Sequence, residues 1–351
     1  MDENTLNKVL IVRTSAIGDI VFASPFAKAL KETYPDAHVS WLVDKGNETL
    51  LTDSPYIDEC IIIPTTEWKS LWKNNRKLEV FRRIHAFGKK LKNQHFDVVI
   101  DLQGLLKSGI FAWMSGAPRR IGLGSREGSQ WLMNQVIPRG GQPERISSEY
   151  LYLAEQLNLD HENFIPTLSI NESSETQALK KLAAHDLFPR QYAVFAAFTT
   201  RPQKHWFPDA WQSLASIVKE KTGLTPVLLG GPADQKAAEA IQSGAPDIIN
   251  LAGQTSLAQA VTIVRHAGAL IGVDTGLTHM GIAFGVPTIA IFGSTCPYTN
   301  TMRQNAKVIW LGLSCSPCKR KPFCHGKFDC LRSITPERIM AELDLMLKNT
   351  P

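Results

Sequence analysis

Residues 8–19 read KVLIVRTSAIGD, and this stretch decides the fold. Val9-Leu10-Ile11-Val12 is a short unbroken apolar run, the pattern of a parallel strand buried on both faces. It runs into a loop of small residues, Thr14 to Gly18, and then into an amphipathic stretch predicted as a helix from Asp19 to Tyr34. The same alternation continues outward. Strands are predicted at 38–43, 59–63 and 97–101, with a long helical stretch over 69–93. A polar segment without periodicity, Pro166 to Ser174, reads as a linker, after which the alternation restarts. Strands at 192–198, 227–229, 269–274 and 288–292 are then separated by helices at 208–221, 257–266 and 276–284. Strands alternating with helices imply α/β architecture with two doubly wound, Rossmann-like domains. Their expected extents are 1–168 and 175–334, followed by a C-terminal helix within 335–351 that is expected to pack back on the first domain. Thr335-Pro336 supplies that helix with a cap and a proline in its first turn.

Composition narrows the function classes. The 351 residues are 44% hydrophobic and 20% charged, a globular balance. The longest apolar runs fall short of the roughly 20 residues that span a bilayer. Arg13 and Asp19 interrupt the region where a secretory signal would need continuous hydrophobicity, so the expected location is the cytoplasm. A net charge of +5 suits an anionic partner and is too small for a typical nucleic-acid binder.

In open α/β sheets ligands sit beyond the carboxyl ends of the strands, so the chemistry is sought in four post-strand loops. Two such domains facing each other would form a deep cleft. After the first strand, Asp19 stands at a helix start. It reads either as an acidic residue favoured by the helix dipole or as a general base for a hydroxyl. After the strand that opens the second half comes Thr199-Thr200-Arg201-Pro202-Gln203-Lys204-His205-Trp206, a cluster suited to phosphate. Asp274-Thr275-Gly276 opens another helix, with His279 one turn in, as a diphosphate ligand or as a structural histidine. In the first half, Asp101 to Ser108 (DLQGLLKS) combines Gly104, which permits a tight turn, with Lys107. The dinucleotide fingerprint G-x-G-x-x-G is absent from the first loop, which counts against a dehydrogenase or a dinucleotide-dependent epimerase. A two-domain sugar-binding protein is a further alternative of non-catalytic class, though such proteins are usually exported.

Four cysteines, Cys315, Cys318, Cys324 and Cys330, fall within sixteen residues. Cys315-x2-Cys318 has the spacing of a metal knuckle, but the second C-x2-C pair of a standard zinc site is missing. Lys319, Arg320, Lys321, Lys327 and Arg332 surround the thiols. Two readings stay open: a structural zinc or iron site, with His325 as a substitute ligand, or a reduced or partly oxidised surface loop.

TSAIGDI after a KVLIV strand, DLQGLLKS, TTRPQKHW and VDTGLTHMGIAFGVPTIAIFG together resemble the family 9 glycosyltransferases, the ADP-heptose:lipopolysaccharide heptosyltransferases. The resemblance runs from Lys8 to about Ile339 with the motifs in family order. It implies a GT-B fold and inverting transfer of heptose from ADP-heptose to the inner core, Kdo or heptose, of lipopolysaccharide. It implies Asp19 as catalytic base. Thr199, Thr200, Lys204, Thr255, Asp274, Thr275, Gly276 and His279 would bind the donor, with Gly253-Gln254-Thr255 where a base and ribose pocket is expected. Lys107 and Arg126 would hold the acceptor's acid sugar. Lys69, Lys73 and Arg76 stand where the heptosyltransferase I type carries an arginine-rich acceptor segment. Lysine lacks the bidentate fork of arginine, so this departure bears on the acceptor. With no D-x-D motif to hold a divalent ion, the implied reaction needs no cofactor. The implied acceptor is lipid-anchored, which places the enzyme against the cytoplasmic face of the inner membrane. A relative that heptosylates a protein is the alternative within the family.

Overall fold

The computed structural model describes residues 6–319 and 321–348. They divide into two compact units with boundaries at 142/143, 146/147 and 169/170: the segments before 143 and over 147–169 form the first, and the segments over 143–146 and after 169 form the second. Each unit is built on one six-stranded parallel sheet. The first contains β1 (Lys8–Val12), β2 (His38–Asp44), β3 (Glu59–Ile63), β4 (Val98–Asp101), β5 (Arg119–Leu123) and β6 (Gln135–Ile137), in the order β3-β2-β1-β4-β5-β6. The second contains β7 (Tyr192–Ala196), β8 (Thr225–Leu228), β9 (Ile249–Asn250), β10 (Ala269–Val273), β11 (Thr288–Ile291) and β12 (Ala306–Ile309), in the order β12-β11-β10-β7-β8-β9. Read from its other edge, the second order repeats the first. The chain therefore uses the doubly wound Rossmann topology twice.

The repeated topology fixes where ligands can bind. In each sheet the winding reverses between the first and fourth strands of the unit, β1 and β4 in one and β7 and β10 in the other. The crevice beyond the carboxyl ends of such a pair is the binding position of doubly wound sheets. The apolar runs behave as their composition requires. Val9 to Val12, all five residues of β7 and all five of β10 are buried, because helices cover both faces of a parallel sheet.

Four expectations need correction. The helix predicted over 19–34 is two helices, Ile17–Ala23 and Pro25–Thr33, which meet at Ser24. Pro25 cannot donate to the preceding turn and starts its own helix instead. The stretch 69–93 is likewise split into Thr65–Lys73 and Lys77–Lys92, with Asn75 at φ +57° in the corner. The C-terminal helix, Pro336–Lys348, belongs to the second unit and not to the first. It packs on the Pro208–Thr222 helix and on β11 and β12, and Ile339, Met340, Leu343 and Met346 complete the second core. The predicted linker is also shorter than expected. Asn171 caps a helix, Glu172–Ala183, by accepting from the Ser173 and Ser174 amides.

Candidate active site

In the first unit the β1 and β4 loops are tied together by hydrogen bonds. The Thr14 amide and hydroxyl both donate to Gln103 Oε1, at 3.0 and 3.1 Å. Gln103 is itself held by the buried Asp101 at the end of β4. One Asp101 oxygen accepts from the Gln103 and Gly104 amides at 2.9 and 3.1 Å, and the other accepts from the Ser108 hydroxyl at 2.9 Å. Burial pushes the Asp101 carboxyl up despite these bonds. Gly104, at φ +67°, is required: a Cβ there would come within 2.4 Å of the Leu123 carbonyl oxygen. The turn it allows also receives the Arg126 amide on the Gly104 carbonyl at 3.0 Å. The backbone of Arg126 and the helix that carries Lys107 thus meet at the same loop cluster.

Asp19 lies in the first turn of the Ile17–Ala23 helix and is 44% exposed. One of its oxygens, Oδ2, accepts from the Ala16 amide at 3.1 Å and lies 2.6 Å from Arg13 Nη2. Arg13 is buried and also donates from Nη1 to the Leu102 carbonyl at 3.2 Å. The carboxylate is therefore fixed through a single oxygen by a guanidinium that is itself fixed to the end of β4. An immobilised, accessible carboxylate of this kind suits general-base work. Sequence reasoning missed Arg13 as a partner, although it is the first residue after β1.

Lys107 pairs with Asp44, Nζ lying 3.1 Å from both carboxylate oxygens. Asp44 is the last residue of β2, and its amide donates to the Thr14 carbonyl at 3.1 Å. A carboxylate and a cation thus stand beside the Asp19 loop, and the predicted end of that strand at Val43 had left Asp44 out. Arg139 also reaches this cluster, donating from Nη2 to the Gln103 carbonyl at 3.1 Å and pairing with Glu149. It was not anticipated. Lys69, Lys73 and Arg76 lie elsewhere, on the exposed helical hairpin of residues 65–92, where Arg76 pairs with Glu79.

The second unit repeats the plan with different chemistry. Lys204, from the β7 loop, lies 2.5 Å from Asp274 Oδ2 at the end of β10. Asp274 Oδ1 is 3.2 Å from His279 Nε2, and the Thr295 hydroxyl donates to Oδ2. Burial alone pushes the Asp274 carboxyl up, but His279, by hydrogen bond and charge, and Lys204 together hold it well below the usual carboxylate range. His279 Nδ1 lies 2.7 Å from the Tyr298 hydroxyl. Burial and the Asp274 charge raise that phenol far above its usual range, so it stays protonated beside the imidazole. His279 is buried and braces Asp274. Thr295 and Tyr298 were missed. They follow β11, and the strand-end rule could have found them.

Thr275 starts the Gly276–Phe284 helix without a side-chain cap; the Thr278 amide donates to the Thr275 carbonyl at 3.1 Å, and the Gly276 and Leu277 amides ahead of it stand at the helix start, where an anion can meet them. Gly272, just upstream, lets β7 and β10 approach: a Cβ there would lie 2.7 Å from that of Ala196. Thr199 is half-buried and Thr200 exposed at the end of β7, where His205 Nε2 lies 2.8 Å from the Thr199 carbonyl. The loop containing Thr255 is placed beside the end of β8 by the Gly253 amide, which donates to the Gly230 carbonyl at 2.9 Å. The structure therefore gathers Lys204, Asp274, Thr275, Gly276 and His279 closely, while Thr255 sits on a neighbouring strand end.

The cysteine segment lies against the same loops. Lys319 donates its amide to the Ser294 carbonyl at 2.7 Å and accepts from the Gln203 side chain at 3.0 Å. Trp206 Nε1 donates to the Leu331 and Ile334 carbonyls at 3.2 and 3.1 Å. These bonds pin the cysteine segment against the second unit. Cys315, Cys318, Cys324 and Cys330 are free thiols, and among the described residues no group of three or more His, Cys, Asp or Glu side chains is arranged to hold a metal ion. Four thiols suit zinc or iron in kind, but their placement here does not form a ligand set. Arg320 lies outside the described residues.

Comparison with known proteins fits this geometry. The sequence model of glycosyltransferase family 9 (heptosyltransferase) matches residues 84–328. This chain belongs to glycosyltransferase family 9. It is 28% identical to lipopolysaccharide heptosyltransferase 1 of Pseudomonas aeruginosa over 97% of this chain and 98% of that one. It is also 28% identical to lipooligosaccharide heptosyltransferase 2 of Haemophilus ducreyi, over 97% and 99%. The fold matches that of Escherichia coli ADP-heptose lps heptosyltransferase II, with a TM-score of 0.76 at 23% identity over 97% of this chain and 98% of that one. The architecture is thus GT-B and the chain is a glycosyltransferase of the heptosyltransferase family. No described helix is long and apolar enough to cross a membrane.

Proposed function

We propose that this glycosyltransferase moves a heptose from ADP-heptose onto an inner-core sugar of lipopolysaccharide, Kdo or heptose, with inversion at the anomeric carbon. The observation that carries the reading is Lys204, placed by Asp274 beside the open amides of the Gly276–Phe284 helix at the β7/β10 switch point. Cation, helix terminus and strand end converge there, which is the arrangement a diphosphate needs. The curated relatives of both heptosyltransferase types support the family-level assignment of sugar and acceptor class.

Asp19 takes the proton of the attacking acceptor hydroxyl. The hydroxyl oxygen bonds to the anomeric carbon as the bond from that carbon to the diphosphate oxygen breaks. ADP leaves with the electron pair, and the charge that develops on it is met by Lys204 and the Thr275 and Gly276 amides. Arg13 holds the base in one orientation throughout. Lys107 and Arg126 offer cations to an acidic acceptor sugar. The acceptor is lipid-anchored, and the enzyme meets it at the cytoplasmic face of the inner membrane.

The test is incubation with ADP-heptose and a panel of truncated core acceptors, followed by product mass and the anomeric configuration of the new linkage. The expected result is the gain of one heptose on one acceptor class with inverted configuration and one ADP released per transfer. A retained configuration, or failure to consume donor with every acceptor, overturns the reading.

A further inference from the structure

The hairpin of residues 65–92 is the least explained surface of the first unit. It holds nine lysines and arginines against two glutamates, while the whole chain carries a net charge of only +5. Both glutamates are engaged within the hairpin, Glu67 by Arg83 and Glu79 by Arg83 and Arg76. What remains outward is cationic. One face of the second helix is core, where Val80, Gly88 and Leu91 are buried. Beside that face, apolar side chains stay outside the core: Leu78 is 83% exposed and Phe81 59%, with Trp72 of the first helix at 48%. The Trp72 and Phe81 rings meet edge to face at 6.2 Å, and Lys77 Nζ sits 5.3 Å over the Trp72 ring.

An acidic sugar accounts for the cations and can stack on one aromatic ring, but it leaves unexplained a leucine 83% exposed beside two aromatic rings. A nucleic acid is a poor match too, since the chain outside this hairpin is on balance slightly acidic. A bilayer with anionic headgroups satisfies both features. Aromatic and aliphatic side chains enter the headgroup zone while lysines and arginines around them meet lipid phosphates. The other exposed tryptophans, Trp113 and Trp131, also belong to the first unit.

We propose that the 65–92 hairpin is the membrane-docking surface of this enzyme, seating Trp72, Leu78 and Phe81 in the interface of an anionic phospholipid bilayer with Lys77 and Arg82 on its phosphates. Its use in delivering a lipid-anchored acceptor rests on the proposed function; the docking itself does not. The test is co-sedimentation of the full chain with vesicles of phosphatidylcholine alone or mixed with phosphatidylglycerol, with neither donor nor acceptor present. The wild type is expected to partition onto the mixed vesicles, to release as salt rises, and to bind pure phosphatidylcholine at least fivefold less. Leu78→Ser/Phe81→Ser and Lys77→Glu/Arg82→Glu should each lower partitioning about tenfold with an unchanged melting temperature, whereas Phe323→Ser, an exposed apolar change on the second unit, should not. Equal partitioning of wild type and both double variants, or no binding to the mixed vesicles at low salt, overturns the proposal. Activity separates it from the functional reading. Leu78→Ser/Phe81→Ser should lose turnover on vesicle-borne acceptor and keep it on a delipidated acceptor saccharide. An equal loss on both would make the patch a saccharide site and end the docking claim. Vesicle binding without transfer to any acceptor would instead overturn the function and leave docking standing.

Discussion

Replacing Lys204 by alanine removes the cation at the β7/β10 switch point and has two separable consequences. The first is on ADP. A charge-assisted bond to a diphosphate contributes about 1.5–3 kcal/mol, or roughly 10- to 150-fold in Kd. Lys204 is 2.5 Å from Asp274 in the unliganded protein and must share its charge with that carboxylate, so the loss should fall near the lower end, about tenfold. The second consequence is on stability. The Asp274 carboxyl is held low by His279 and Lys204 against the opposing effect of burial. A depressed carboxyl adds stability that is fully present above its unfolded value, near pH 4, and is lost as pH falls through its folded value. Without Lys204 that folded value rises, so the acid loss begins at higher pH. The side chains are 16% and 11% exposed, and His279 and Thr295 remain. The cost should therefore be below that of breaking a fully buried pair: about 1–2 kcal/mol, or roughly 2–8 °C in Tm. Calorimetry with ADP and thermal melts from pH 3 to 7 measure both. An ADP Kd within twofold of wild type, with an unchanged pH profile of melting, would refute the assignment of Lys204 to the donor.

Other perturbations separate the remaining roles. Lys107→Ala should raise the acceptor KM about tenfold with ADP affinity unchanged, since the ammonium leaves Asp44 for the acceptor's acid group; an equal loss of ADP affinity would show that donor and acceptor are divided wrongly. Arg13→Ala should lower kcat about tenfold and leave the ADP Kd alone, because it frees Asp19 to rotate without touching the donor loops. Arg13→Lys should recover part of that loss, and full activity in the alanine variant would remove Arg13 from the mechanism. Protein purified without chelator should lack stoichiometric zinc and iron. In that protein Cys330, whose thiol is pushed up to about 11 by burial and by Cys315, Cys318 and Cys324, should react slowly with alkylating reagents at neutral pH and faster as pH rises. One equivalent of either metal, lost in Cys315→Ser, would contradict this.

The central strands were legible because burial on both faces leaves a continuous apolar run. KVLIV, VVID and ALIGV are each followed by a loop that carries candidate site residues. Strands that carry charges give a weaker signal, although the edge strand β3 showed its apolar run. Ala306–Ile309 contains Lys307, and Arg119–Leu123 begins with two arginines, because edges and strand starts can hold charges in water. The candidate residues were legible where they stand next to a central strand, as Asp274 does after β10, or at the start of the helix that follows one, as Asp19 does after β1. The site was not legible where a partner came from another loop. Arg13 on Asp19, Asp44 on Lys107, and Thr295 and Tyr298 around Asp274 and His279 are pairings across strand ends, and only the sheet order brings them together. The C-terminal helix failed for a related reason. Its amphipathic pattern required an apolar partner without naming which core would supply it.

Asp19→Asn tests the central claim most directly. The substitution keeps the side chain's shape and its contact with the Ala16 amide region while removing the group that accepts the proton. Turnover of ADP-heptose with the acceptor identified for the wild type should fall by roughly 10²–10⁴-fold, as for removal of a general base, and the calorimetric Kd for ADP should stay within threefold because the donor loops lie on the other sheet. Turnover within threefold of wild type would contradict the account.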